Sequence, residues 1–150
     1  VLDTCMGLGY TAINSMRRGA REVITIEIDD VVLDISTENP WSSWLEDDKI
    51  TIIHGDATKV INEFDNDYFD RIIHDPPRLT SSSGYLYSME FYKELWRVLR
   101  PGGILYHYTG DPGRTSLKNI AGGVASRLKQ VGFRVLHVSS SQGLVAFKPF

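Results

Sequence analysis

The chain's 150 residues suit one domain built on a single core. With 42% hydrophobic and 23% charged residues its composition is globular, and a net charge of −3 argues against nucleic-acid binding by charge alone. One cysteine, Cys5, excludes an internal disulfide and fits a reducing compartment; no apolar run is long enough to cross a membrane and no signal-peptide pattern is seen, so a cytoplasmic protein is expected.

"VLDTC" (1–5) reads as the end of a strand, already apolar at Val1, so a missing N-terminal segment able to carry substrate recognition is expected. "YTAINSMRRG" (10–19) predicts a short helix stopped by Gly19. "EVITIEI" (22–28) is β-branched and nearly continuous in apolar character, as strands covered on both faces are. A helix over about 29–38 follows, and "NPWSSW" sets Trp41 and Trp44 as packing anchors. "KITIIHG" (49–55) is a third strand, residues 57–63 a short helix, and "FDRIIHD" (69–75) a fourth strand. The loop "RLTSSSGY" (78–85) reads as the most flexible segment. In residues 86–99, Met89, Tyr92, Trp96 and Leu99 share one helical face, ended by Arg100, Pro101 and two glycines. "GILYHYT" (103–109) is a fifth strand. Residues 117–131 carry Ile120, Val124, Leu128 and Val131 at helical spacing, with Gly132 as the stop. "FRVLHV" (133–138) and "LVAFK" (144–148) are two strands joined by "SSSQG".

Strands alternating with helices predict βαβ units and a mainly parallel sheet. The last two strands have no helix between them and predict an antiparallel hairpin. The expected fold is therefore α/β: a three-layer Rossmann-like sandwich with a seven-stranded, mostly parallel sheet, forming one domain over 1–150.

Ligands of open α/β sheets bind outside the C-terminal strand ends, and acids stand at those ends here. After the first strand, Gly7 and Gly9 in "DTCMGLGY" permit a tight turn and a helix N-terminus suited to an anionic group. "GLGYTA" satisfies the dinucleotide pattern G-x-G-x-x-A, which equally marks an ordinary strand-to-helix turn. Asp3 would repel a pyrophosphate and welcome an ammonium. Glu27, 20 residues beyond Gly7, is placed to take two ribose hydroxyls. Asp56 either accepts from an adenine amino group or caps the helix that begins at Ala57. In "HDPPR" the prolines stiffen the chain, so that Asp75 and the carbonyl of Pro76 form a fixed pair of acceptors able to orient an attacking N–H. Arg78 either pairs with a substrate phosphate or carboxylate or makes a surface ion pair. His74 reads as a satisfied core histidine rather than a catalyst, while His107 and Tyr108 border the same cleft. The four histidines, His54, His74, His107 and His137, have no metal-ligand spacing, so no metal is expected.

Together these residues resemble a class I S-adenosylmethionine-dependent methyltransferase over essentially the whole chain. Asp3, Gly7 and Gly9 resemble that family's first motif, Glu27 its ribose acid and Asp56 its adenine acid. "DPPR" sits where many members carry Asp/Asn-Pro-Pro-aromatic. The resemblance implies S-adenosylmethionine as cofactor, its methionine over Gly7–Gly9 with Asp3 serving the ammonium directly or through water, its ribose on Glu27, and its adenine on Asp56 and Ala57. It implies methyl transfer, with a nitrogen acceptor oriented by Asp75 and Pro76 and Arg78 nearby. The acceptor molecule is left open among RNA, protein and small molecules. The chain also resembles a group of predicted archaeal methyltransferases, and spermidine synthases through "EID", "GDA" and "DRIIHDPP". The spermidine synthases carry a second acid where this chain has Arg78, which would repel a polycation, so aminopropyl transfer ranks second. Pyrimidine-C5 RNA methyltransferases share "DPPR" but need a cysteine beyond it, and Cys5 lies in the cofactor loop, where it reads as a small buried residue. A nicotinamide-dependent oxidoreductase and a non-catalytic nucleoside-binding domain are the remaining alternatives.

Overall fold

A computed structural model describes residues 1–110, 118–138 and 142–150. Seven strands form one sheet: β1 (Leu2–Asp3), β2 (Val23–Glu27), β3 (Ile50–His54), β4 (Phe69–His74), β5 (Leu99–Tyr108), β6 (Arg134–Val138) and β7 (Gly143–Phe147). Their order is β3-β2-β1-β4-β5-β7-β6. β1 pairs in parallel with β2 (Leu2 opposite Ile24) and with β4 (Leu2 opposite Ile72). β7 runs antiparallel between β5 and β6, with Leu144 opposite both His107 and His137. The mostly parallel sheet and its closing hairpin are as the sequence predicts. Residues 139–141 of the expected turn lie outside the described residues.

Helices α1 (Tyr10–Arg17), α2 (Asp30–Glu38), α3 (Ala57–Val60), α4 (Met89–Val98) and α5 (Lys118–Val131) connect the strands. Local chemistry sets their ends. Asp29 accepts from the Val31 N–H at 2.9 Å and Ser88 from the Phe91 N–H at 3.1 Å, each satisfying a first-turn donor. Gly132, at φ 124°, closes α5 with its N–H on the Leu128 carbonyl.

On one side of the sheet, Leu2, Ile24, Ile72, Leu105, Leu144 and Ala146 pack under Tyr92, Leu95, Val124 and Leu128 of α4 and α5. On the other, Val23 and Ile50 pack under Ala12, Ile13 and Met16 of α1 and under Leu45. That second helical layer therefore covers the β1-β2-β3 half. At the far edge the Lys148 ammonium is buried and donates to Asp67 Oδ1 at 2.7 Å, the Trp96 carbonyl at 2.9 Å and the Leu99 carbonyl at 2.6 Å.

Four local expectations are corrected. The helix predicted over 86–99 is divided, because Ser88 caps α4 and leaves Gly84–Tyr87 as a separate 3-10 helix. Its buried face is Phe91, Tyr92, Leu95 and Val98; of the predicted stripe Tyr92 lies on it, Trp96 packs at its margin, and Leu99 is buried but already in β5. Arg100, Pro101 and the two glycines lie within β5 instead of before it. Trp41 and Trp44 are 79% and 50% exposed; in the 3-10 helix Pro40–Glu46 it is Ser42 and Leu45 that point inward. Trp44 instead lies under the Arg17 guanidinium, 4.7 Å from the ring centre. Among the described residues no helix is long and apolar enough to cross a membrane.

Candidate active site

Strand order reverses between β1 and β4, and a cavity of about 460 Å³ opens there, outside the C-terminal strand ends. Gly7, Glu27, Asp56, Ala57 and Asp75 all line it. Five residues predicted from four strand ends are thereby brought to one cleft.

The loop after β1 is fixed from behind. The Met6 N–H donates to the Ile26 carbonyl at 2.8 Å and the Gly9 N–H to the Met6 carbonyl at 2.8 Å. Gly7, at φ 53°, faces open space, so a ligand can approach its backbone. Gly9 has a different task and does not line the cavity: at φ 78° it precedes α1, and a Cβ there would stand 2.5 Å from Leu45. Asp3 is fully buried behind the loop. Its Oδ2 accepts from the hydroxyls of Thr11 at 2.7 Å and Thr25 at 3.0 Å, while Oδ1 has no partner among the described residues. Burial pushes its pKa up to about 6, against the pull of the two hydroxyls.

Glu27 is held by three backbone donors, Gly7 N–H at 3.0 Å on Oε2, and Ile28 N–H at 2.9 Å and Asp29 N–H at 3.0 Å on Oε1. The carboxylate is thus immobilised, and Oε2, which takes only one of the three donors, keeps a lone pair for a ligand hydroxyl. Asp56 caps α3 through Oδ1, which accepts from the Thr58 N–H at 2.9 Å and hydroxyl at 2.8 Å, and it lines the cavity as well. Ala57 beside it is buried.

Asp75 follows β4 directly. It is exposed toward the cleft, and partial burial raises its pKa. Pro76 is buried and off the cavity wall, whereas Pro77 lines it. The Pro77 carbonyl accepts from the Tyr87 hydroxyl at 2.8 Å, so the motif is tied from outside. Arg78 is exposed and lies beyond the lining residues. Its carbonyl accepts from the buried Ser83 hydroxyl at 2.6 Å, and Ser83 Oγ also takes the Thr80 N–H at 2.9 Å. The loop read as the most flexible one is therefore closed on itself by its own hydroxyls.

Tyr85 and Leu86 of the 3-10 helix complete the wall, and sequence reasoning missed both. Their signal lay one step away, in His74. Its Nε2 donates to the Leu86 carbonyl at 3.0 Å and its Nδ1 accepts from the Thr4 hydroxyl at 2.6 Å; the carbonyl, being only an acceptor, fixes this tautomer. His74 is the satisfied core histidine expected. His107 and Tyr108 do not border the cleft as expected. His107 is buried, donating from Nδ1 to the Tyr108 carbonyl at 2.8 Å and accepting the Tyr92 hydroxyl on Nε2 at 2.8 Å. The two imidazoles meet edge to face, centres 4.5 Å apart. Burial lowers His107 to about 4 and takes His74 well below its usual value, with His107 adding to the latter. The Cys5 thiol is pushed up to about 12 by burial, so it is no thiolate nucleophile at neutral pH. Among the described residues no cluster could hold a metal ion.

Four carboxylates line the cleft, Glu27, Asp29, Asp56 and Asp75, and among the described residues no lysine or arginine does. Such a wall favours a cationic ligand bearing hydroxyls and a purine amine over a pyrophosphate.

Residues 11–139 match the spermine/spermidine synthase domain. The uncharacterized protein MJ1233 of Methanocaldococcus jannaschii is 55% identical over 151 residues, 99% of this chain and 52% of that one. Putrescine N-methyltransferase 2 of Nicotiana attenuata is 31% identical over 102 residues, 66% of this chain and 28% of that one. The chain thus spans about half the length of the first relative and less of the second. A spermidine synthase solved with the transition-state analogue AdoDATO superposes with a TM-score of 0.77 at 20% identity, over 97% of this chain and 52% of that one, which shows a shared fold.

Proposed function

The chain belongs to the spermine/spermidine synthase domain family, and from that premise we propose that it is an S-adenosylmethionine-dependent methyltransferase acting on a nitrogen. The observation that carries the reading is Asp75, a carboxylate open to the cleft directly after β4, in the same cavity wall as Gly7, Glu27 and Asp56. The acidic wall fits a sulfonium-bearing nucleoside. Glu27 would hold the ribose hydroxyls, Asp56 and Ala57 the adenine, and the Gly7 backbone the methionine portion. The Asp3 Oδ1, buried and unpartnered behind the loop, is the acceptor available to the ammonium through an intervening water. When bound, S-adenosylmethionine supplies an electrophilic methyl group, and the protein's part is alignment. Asp75 accepts an N–H of the amine and turns its lone pair into the cleft, a part the Pro76 carbonyl, off the cavity wall, does not share. The carboxylate then stabilises the positive charge that grows on nitrogen. Arg78, three residues on, disfavours an acceptor with a second cationic group.

Aminopropyl transfer is the second reading, favoured by the family match itself. A nicotinamide-dependent oxidoreductase fits less well, because among the described residues no cation lines the cleft to meet a pyrophosphate. Calorimetry against S-adenosylhomocysteine, methylthioadenosine and NAD, followed by labelled turnover with S-adenosylmethionine and with its decarboxylated form over pooled amines, separates the readings. Methyl transfer is expected, with S-adenosylhomocysteine bound and NAD not. NAD binding without S-adenosylhomocysteine binding would overturn the proposal, and turnover of the decarboxylated form alone would install aminopropyl transfer. Asp75→Asn is expected to fold, to bind S-adenosylhomocysteine normally and to lose roughly 10²-fold in turnover. Undiminished turnover per folded molecule removes Asp75 from the mechanism.

A further inference from the structure

The segment "NPWSSWLE" (39–46) stands outside the cleft and reaches its glycine loop from behind. Pro40 disfavours the helical conformation in the residue before it, and Asn39 is extended, at φ −81° and ψ 115°, where α2 ends. The 3-10 helix Pro40–Glu46 then turns once in about three residues. Asn39, Ser42 and Leu45, spaced by three, therefore share one edge, while Trp41 and Trp44 share another and are exposed. The first edge meets three successive residues between β1 and α1. The Ser42 hydroxyl, 2% exposed, donates to the Leu8 carbonyl at 2.7 Å. Leu45 fills the space that a Cβ on Gly9 would need. The Asn39 amide donates one hydrogen to the Tyr10 hydroxyl and the other to Ser42 Oγ, both at 2.9 Å.

Leu8 and Tyr10 line the cleft; Asn39, Ser42 and Leu45 do not. The loop needs outside support, because Gly7 and Gly9, both at positive φ, leave Leu8 between two permissive hinges. With Ser42 on the Leu8 carbonyl and the Gly9 N–H on the Met6 carbonyl, the peptide joining Leu8 to Gly9 is held at both its polar atoms. Asn39 meets Tyr10, the first residue of α1, and Trp44 meets Arg17, the last, so the segment is fastened along that helix. We propose that Asn39, Ser42 and Leu45 are positioning residues, which fix Leu8–Tyr10 in the shape that takes the amino-acid tail of S-adenosylmethionine and so make the cleft select nucleosides carrying that tail. This rests on the cofactor reading above. The adenosine end draws on other supports: Glu27 is held by the Gly7, Ile28 and Asp29 N–H groups, and Asp56 by Thr58.

The test is calorimetric titration of wild type, Ser42→Ala and Ser43→Ala with S-adenosylhomocysteine, which has the tail, and with methylthioadenosine, which lacks it. Ser43 is the control: it is exposed in the same 3-10 helix, and its hydroxyl donates to the Pro40 carbonyl at 3.0 Å. Wild type is expected to bind S-adenosylhomocysteine more tightly. Ser42→Ala is expected to lose roughly 10-fold in that affinity while methylthioadenosine stays within roughly twofold, and Ser43→Ala to change neither. Equal losses for both nucleosides, or an unchanged S-adenosylhomocysteine affinity, overturn the proposal. A matching selective loss in Ser43→Ala also overturns it, since the effect is then a general loosening of the segment. If Ser42→Ala does not fold, Tyr10→Phe removes the Asn39 contact at an exposed side chain; a selective loss of roughly 3-fold is expected there, and none overturns the proposal. Wild type that binds neither nucleoside is a different failure: it removes the cofactor reading, and this proposal with it.

Discussion

Glu27 serves its own loop before it serves any ligand, since three backbone N–H groups already converge on it. Glu27→Ala should therefore act twice. S-adenosylhomocysteine affinity is expected to fall roughly 10-fold, the loss of a hydrogen bond from a ribose hydroxyl to the charged group, and the melting temperature by a few degrees as the Gly7 turn loosens. Calorimetry on the folded variant checks the first effect, and unchanged affinity would mean that the carboxylate only holds the loop. Gly9 makes a purely steric case. Gly9→Ala should destabilise by about 1–3 kcal/mol in denaturant titration, through its left-handed backbone and the contact with Leu45. Adding Leu45→Ala should relieve the contact but not the backbone strain, so the pair is expected to be less than additive. At this scale the sequence was readable in kind and not in detail. Residue type and spacing placed Asp56 in the site, but which oxygen caps α3 depends on Thr58 turning back to it. The full burial of Asp3 likewise depends on Thr25 of a neighbouring strand.

Between β4, β5 and the 3-10 helix Gly84–Tyr87, His74 and His107 are neutral parts of the architecture. Each has a folded-state pKa below its unfolded one. Above about pH 6.5 both states leave them neutral, and as pH falls from there toward 4 the unfolded chain binds protons that the folded protein refuses. Stability is therefore lost on acidification over that window, about 3 kcal/mol from His107 alone. Asp3 has the opposite sign, because its raised pKa lets the folded state take a proton first as pH falls through about 6. His107→Gln, which keeps a hydrogen-bonding side chain without the titration, is expected to flatten the melting-temperature profile between pH 4 and 6.5; an unaltered slope would mean that the loss arises elsewhere. The strands and main helices were legible because their periodicity is local. The helix predicted over 86–99 overran α4 at both ends, because the Ser88 cap sets its start and Leu99 already belongs to β5. The tryptophans misled because size signals burial only on average: here the short Leu45, not Trp41, fits against Gly9.

The whole molecule is held at its far edge by Lys148, whose ammonium joins the end of β7 to Asp67 and to the junction of α4 and β5. Lys148→Ala should cost about 2–4 kcal/mol, since two buried carbonyls and Asp67 lose their donor together. Chemical denaturation measures it, and a loss below 0.5 kcal/mol would show that water replaces the ammonium freely. Strand order is the global property that local pattern could not reveal. A hairpin of β6 and β7 is predicted equally well with either strand against β5, and only the assembled sheet selects β7. That order has a consequence for synthesis. β6 leaves the ribosome before the strand that joins it to the sheet, and the edge of β5 stays open meanwhile. Phe147 is the ninth residue after Val138, so at ~5–20 residues per second the nascent chain carries two unpaired strand edges for about a second. A slow codon in that short stretch would lengthen the exposure, and a fast one would shorten it, without altering a single amino acid.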